Sequence, residues 1–104
     1  MKNLFDALIG LRLLYAEVVC DYLHLRFENG SNLNIFNKFT LKEFNIDDFA
    51  ELSGCEVCSI RCDEVAVEIN FLGGGSIQVW LSDDDYNGPE AMAFNTSEGT
   101  IVWQ

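Results

Sequence analysis

The sequence predicts a mainly β (β-rich α+β) domain. It reads as tandem-duplicated antiparallel three-stranded meanders forming a sandwich or one bent sheet, with a short helical turn. Three observations carry this. Apolar residues alternate at period two, the strand period. Gly and Asn sit where tight hairpins need positive φ. And residues 10–35 repeat at 54–79 with a constant offset of 44 and no gap. Gly10 matches Gly54, Leu13 matches Val57, and Val18 matches Cys62. Leu23, Leu25 and Phe27 match Val67, Ile69 and Phe71, and Gly30 matches Gly74. Leu33 and Ile35 match Ile77 and Val79.

Taken in order, residues 2–9 read as a helical turn or a lead-in to the first strand. Strands follow near 11–19, 22–28 and 32–37. Leu23, Leu25 and Phe27 point to one face there, and Tyr22, His24 and Arg26 to the other. Glu28-Asn29-Gly30-Ser31 makes the turn. Residues 38–53 connect the copies, with a helical turn around Ile46-Asp47-Asp48-Phe49-Ala50-Glu51-Leu52 capped by Asn45. The second copy gives strands near 55–62, 65–71 and 76–81. Val67, Ile69 and Phe71 lie opposite Ala66, Glu68 and Asn70, and Leu72-Gly73-Gly74-Gly75 makes the turn. Residues 82–90 read as an acidic loop. Residues 91–95 and 100–104 form a closing hairpin over Ser97-Glu98-Gly99.

The 104 residues, 49% of them hydrophobic and 12% aromatic, fit one domain, 1–104, with a core that needs no metal or disulfide. The single Pro argues against disorder. Asp6 and Arg12 interrupt what would be a signal-peptide core, and no apolar run approaches the ~18 residues of a membrane span. A cytoplasmic protein with reduced thiols is expected.

Seventeen acids stand against six bases, a net charge of −11. Residues 1–53 carry −3 and residues 54–104 carry −8, with Arg61 the single base of the second half. Such a field repels nucleic acid and anionic membrane, favours a basic partner and speeds encounter with it. Plain solubility is the competing reading.

Candidate chemistry is sparse. Cys55, Cys58 and Cys62 form a CxxCxxxC run, with Cys20 upstream, but they align with Leu11, Leu14 and Val18 and read as small core hydrophobes rather than zinc ligands. His24 reads as a surface-sheet histidine with no activated nucleophile beside it. Asp83, Asp84 and Asp85 lack the alternating spacing of a calcium loop, and the triple glycine lacks the Lys and the following helix of a phosphate loop. No catalytic residue, metal or cofactor is expected, and the chain reads as a non-enzyme.

Surface remains. Phe36 and Trp80 end the third strand of each copy on the polar side, as aromatic anchors of a binding patch.

The order Gly54-x-x-Val57, Asp63-Glu64, Ile69-Asn70-Phe71, Gly74-Gly75, Ile77-Gln78-Val79, then Pro89-Glu90-Ala91-Met92 and Ile101-Val102-Trp103, resembles small duplicated β-rich bacterial proteins with a C-terminal Glu-Ala-Trp-like segment. Some of these are similar to immunity proteins of polymorphic and contact-dependent toxin systems. Met92 departs from the pattern where Trp is usual, and no toxin-contacting residue carries over. The resemblance implies a small, non-catalytic inhibitor of a cognate protein toxin. A basic nuclease-type target would meet an acidic patch of Asp83, Asp84, Asp85 and Glu90, supported by Asp47, Asp48 and Glu51, with Trp80, Tyr86 and Phe36 as anchors. The alternatives are a generic interaction domain, or a small-ligand binder with a pocket lined by Phe27 and Phe71. Oligomeric state stays open, since exposed edge strands could pair.

Overall fold

Nine strands form two antiparallel sheets in the computed structural model, which describes residues 7–20, 22–42, 54–72, 74–82, 84, 91–97 and 99–103. In chain order they are β1 (Leu13–Val19), β2 (Tyr22–Phe27), β3 (Asn32–Ile35), β4 (Phe39–Lys42), β5 (Val57–Cys62), β6 (Ala66–Phe71), β7 (Ser76–Trp80), β8 (Met92–Thr96) and β9 (Gly99–Trp103). One sheet runs β1-β2-β3-β8-β9 and the other β4-β7-β6-β5, and they do not close into a barrel. Almost no helix accompanies them: among the described residues Ala7 and Leu8 are helical, and Leu8 is buried in the core. The helical turn expected over residues 46–52 lies outside the described residues.

The period-two pattern decides which side each strand buries. Leu23, Leu25, Phe27, Leu33, Ile35, Met92 and Phe94 of the first sheet join Val57, Val67, Ile69, Phe71, Ile77 and Val79 of the second in one buried cluster. The two apolar faces therefore share a core, the sandwich arrangement rather than one bent sheet. Phe27 and Phe94 meet edge-on there, their ring centroids 6.2 Å apart.

The repeat is visible in hydrogen bonds as well as in side chains. Phe27 N donates to Ser31 O and Gly30 N to Phe27 O, while Phe71 N donates to Gly75 O and Gly74 N to Phe71 O. Gly30 and Gly74 hold φ of 89° and 113°, which L side chains resist. Each copy also carries a bulge that the alternation did not reveal, between Leu13 and Tyr15 and again between Val57 and Ser59.

The copies join at two places. At one end the segments before β1 and β5 pair with each other about Arg12 and Glu56. Gly10 N donates to Val57 O at 2.8 Å, and its equivalent Gly54 N donates to Leu13 O at 2.6 Å. Leu13 N donates to Cys55 O at 2.8 Å, and its equivalent Val57 N donates to Leu11 O at 2.9 Å. These four bonds are two pairs related by the 44-residue offset, so a local twofold axis passes between Arg12 and Glu56.

At the other end the copies exchange strands, which the sequence reading missed. The chain leaves β3 of the first sheet and enters β4, which pairs with β7 of the second: Phe39 opposite Val79, Leu41 opposite Ile77. It leaves β7 and enters β8, which pairs back with β3: Met92 opposite Ile35, Phe94 opposite Leu33. Phe39 and Met92 are thus equivalent, as are Leu41 and Phe94. β4 was read as part of the 38–53 connection because its four residues are too few to display a period. Asn37 sits at this crossover, fully buried, with its Nδ2 donating to Trp80 O at 2.8 Å, while its Oδ1 has no partner among the described residues. Phe36 N donates to Ala91 O and Trp80 N to Lys38 O, which ties both crossing segments together.

Gly10 and Gly54 hold φ of 90° and 87°, and a Cβ at either would meet nothing within 4 Å. Gly10→Ala and Gly54→Ala are each expected to cost about 1–2 kcal/mol, from backbone strain alone. Urea unfolding of the two variants should give the same loss within error, and a large difference would contradict the equivalence of the two bridge segments.

Candidate partner-binding surface

The strands hold few of the acids. Only Glu17 and Glu68 of the seventeen fall within the nine strands. The register then places those of the rest that lie among the described residues by end. The crossover end of the second sheet carries the β5–β6 turn, Asp63-Glu64, beside the exit of β7, because Ala66 pairs with Trp80 and Leu81 N donates to Val65 O at 2.8 Å. Chain leaving β7 therefore passes the Asp63-Glu64 turn as it enters the acidic loop. Asp84, the one described member of the Asp83-Asp84-Asp85 run, is exposed there, as are Asp63, Glu64 and Val65.

The Asp63 turn is itself rigid. Its Oδ1 accepts Val65 N at 2.8 Å and Ala66 N at 2.9 Å, an Asx arrangement. The Ala66 and then the Val65 amide hold the Asp63 carboxyl below its ordinary 3.8, opposed by some desolvation and helped by the Arg61 charge. This keeps a fixed negative charge at that end. Partial desolvation, then the Asp63 carboxylate, push the neighbouring Cys62 thiol up, a direction that disfavours its thiolate.

The loop that starts here is an insertion. From Phe36 to its exchanged strand at Phe39 the first copy uses two residues, Asn37 and Lys38. From the equivalent Trp80 to Met92 the second copy uses eleven. The extra nine include Asp83, Asp84, Asp85, Tyr86 and Glu90. The fold closes the same connection without them in the first copy, so they are not needed to build it. Asp83, Asp85, Tyr86 and Glu90 lie outside the described residues, as do Asp47, Asp48 and Glu51.

Two expectations about the patch need correction. Phe36 and Trp80 do not share a surface: their side chains lie on the outer faces of different sheets. Phe36 packs on Tyr22, centroids 5.4 Å apart, whereas Trp80 Nε1 donates to Thr40 Oγ1 at 2.9 Å. Both are half-buried, and the closing hairpin β8–β9 extends the first sheet at its edge instead of covering them. The two acidic segments, moreover, are anchored apart. Lys42, which pairs with Ser76, and Gly54, bonded to Leu13, flank residues 43–53 at the bridge end, while Ser82 and Ala91 flank the acidic loop at the crossover end.

The cysteine reading also changes. Cys55 is half-buried against the core, but Cys58 and Cys62 are exposed, like their equivalents Leu14 and Val18. Leu14 and Cys58 sit at the bulges of β1 and β5, while Val18 and Cys62 lie toward the far ends of these edge strands, where the inward phase meets solvent. Among the described residues no three His, Cys, Asp or Glu side chains converge as metal ligands. His24 is half-buried with Nδ1 2.6 Å from Asn34 Oδ1 and its ring 6.1 Å from that of Tyr15. Phe27 and Phe71, the suggested pocket lining, are buried in the shared core.

Sequence reasoning missed Asp63 and Glu64 as members of the acidic end. The signal was present in the offset, which sets Asp63 against Val19 and Glu64 against Cys20: two acids where the first copy has none.

Fold and surface together define a duplicated, strand-exchanged two-sheet β domain with an acidic crossover end. Comparison with protein families, with curated proteins and with solved structures returned no match.

Because the folded-state value of Asp63 is lowered, its contribution to stability is present above the ordinary value near 3.8 and lost as pH falls through the lower folded value. Asp63→Asn, which cannot titrate, should be less stable than the parent at pH 7, with the gap narrowing below about pH 4. Urea midpoints at the two pH values check this. An unchanged gap would mean that the carboxylate charge contributes nothing to the turn.

Proposed function

We propose that this chain is a non-catalytic binding protein that captures a basic protein partner through its acidic crossover end. In keeping with the resemblance of its motifs, it acts as an immunity protein that neutralises a cognate bacterial toxin in the cytoplasm. One observation carries the reading. At a connection that one copy of the repeat makes with two residues, the other inserts nine more, rich in carboxylates, and the strand that leads into them, β7, ends beside the Asp63-Glu64 turn. A basic active site of nuclease type fits such a surface, because carboxylates that stand in for substrate phosphates block it by charge and by shape. Asp83, Asp84, Asp85 and Glu90 supply the charge in this reading, with Asp63 and Glu64 beside them, and Tyr86 and Trp80 supply apolar contact. Neither nucleic acid nor an anionic membrane suits a surface of this sign.

The test is a loop-shortened variant in which Asp83-Asp84-Asp85 and Tyr86, Asn87, Gly88, Pro89 and Glu90 are removed and Ser82 is joined to Ala91. It should keep the far-ultraviolet dichroism of the parent and lose capture of the basic partner from the native host. Capture by the parent should weaken as salt is raised from about 50 to 500 mM, as exposed charge pairs are screened. Equal capture by parent and shortened variant would refute the assignment of the site.

A further inference from the structure

The two sheets end in equivalent edge strands. β1 pairs with β2 and β5 with β6, and neither has a strand on its other side among the described residues. Near the bridge that other side is closed by the bonds between residues 10–13 and 54–57, which leaves residues 15–19 and 59–62 as the open stretches. Neither stretch has the Lys or Pro that commonly guards an edge. Tyr15 and Val18 are each 42% exposed, and Cys58 and Cys62 are exposed as well. Each strand carries a single charged residue, and the two are equivalent by the 44-residue offset but opposite in sign: Glu17 in β1, Arg61 in β5.

We propose that these edges join copies of the chain head to tail, β1 of one copy running antiparallel beside β5 of the next. With Glu17 opposite Arg61 of the next copy, Val18 falls opposite Ile60 and Ala16 opposite Cys62. The faces agree in this register. Glu17 and Arg61 pair with the outward His24 and Glu68, whereas Ala16, Ile60 and Cys62 pair with the inward Leu25, Ile69 and Val67. The same register between two β1 strands sets Glu17 against Glu17, and between two β5 strands Arg61 against Arg61, and like charges directly opposed disfavour both. A net charge of −11 repels two copies over most of their surface, so these two edges, whose single charges are opposite in sign, are where they can meet. Because each copy offers one edge of each kind, on different sheets, the contact is heterologous and extends beyond a pair.

Sedimentation velocity over a concentration series, with reductant present so that the exposed thiols form no disulfide, tests this. The parent should show species above monomer that grow with concentration. Glu17→Arg and Arg61→Glu should each raise the concentration needed for assembly by about tenfold or more. An equimolar mixture of the two variants, and the double variant, should restore it, since both place opposite charges at the contact. A parent that stays monomeric at every concentration would overturn the proposal, as would single variants that assemble like the parent. This outcome is independent of whether the acidic end binds a basic protein.

Discussion

Everything in this domain hangs on the reciprocal pairing of its two copies. Neither meander can bury its apolar face alone: a three-stranded sheet of strands four to seven residues long has one wet and one dry side, and the dry side needs a lid. Each copy is the lid of the other. The four bridge bonds about Arg12 and Glu56 fix the copies at one end, and the exchange of β4 and β8 fixes them at the other. The exchange gives each sheet a strand that the other copy's chain leads into, so neither sheet can be peeled off without breaking ladder bonds in both. Cooperative unfolding of the two copies as one unit follows from that geometry.

Much of this was legible because strands buried on one side write their orientation at period two. Leu23, Leu25 and Phe27, and Val67, Ile69 and Phe71, announced both the strands and the inward face, and Gly30 and Gly74 announced the turns. What stayed hidden has a common cause. β4 is four residues long, too short for alternation to be distinguished from chance. The bulges at Leu14 and Cys58 shift phase by one residue inside an edge strand, so the apolar residues that follow break the alternation and do not report burial. The exchange of β4 and β8 is a matter of which sheet a strand joins, and alternation carries no information about that. The cysteines depart from expectation for two reasons: Cys58 is the bulge residue of β5, and Cys62 keeps the core phase but lies at the end of an edge strand, where the core has ended.

The acidity was legible as composition and not as geometry. A run of three Asp in a loop says that charge is there; it does not say which other charges stand beside it. The register places the exit of β7 beside the Asp63-Glu64 turn, through the Leu81–Val65 bond, and it separates the flanks of the 43–53 segment from those of the acidic loop. The aromatics show the reverse error. Phe36 and Trp80 are equivalent in sequence, and equivalence about a twofold axis places them on opposite sheets rather than side by side.

That duplication separates what the fold requires from what it does not. Core positions agree across the offset: Leu13 with Val57, Leu25 with Ile69, Phe27 with Phe71, Ile35 with Val79. Outward positions diverge: Tyr15 with Ser59, Glu17 with Arg61, Tyr22 with Ala66, His24 with Glu68. Both copies build the same meander, so the meander itself requires neither these outward differences nor the nine residues inserted before β8. A sheet whose outer side is stabilised only by cross-strand pairs of about 0.2–1 kcal/mol each tolerates such change, whereas loss of a buried side chain such as Phe27 costs about 3–5 kcal/mol. The core is therefore held nearly constant between the copies while the surface is not, and the surface features found in one copy alone, the acidic insertion foremost, are the ones that building the shared meander does not explain.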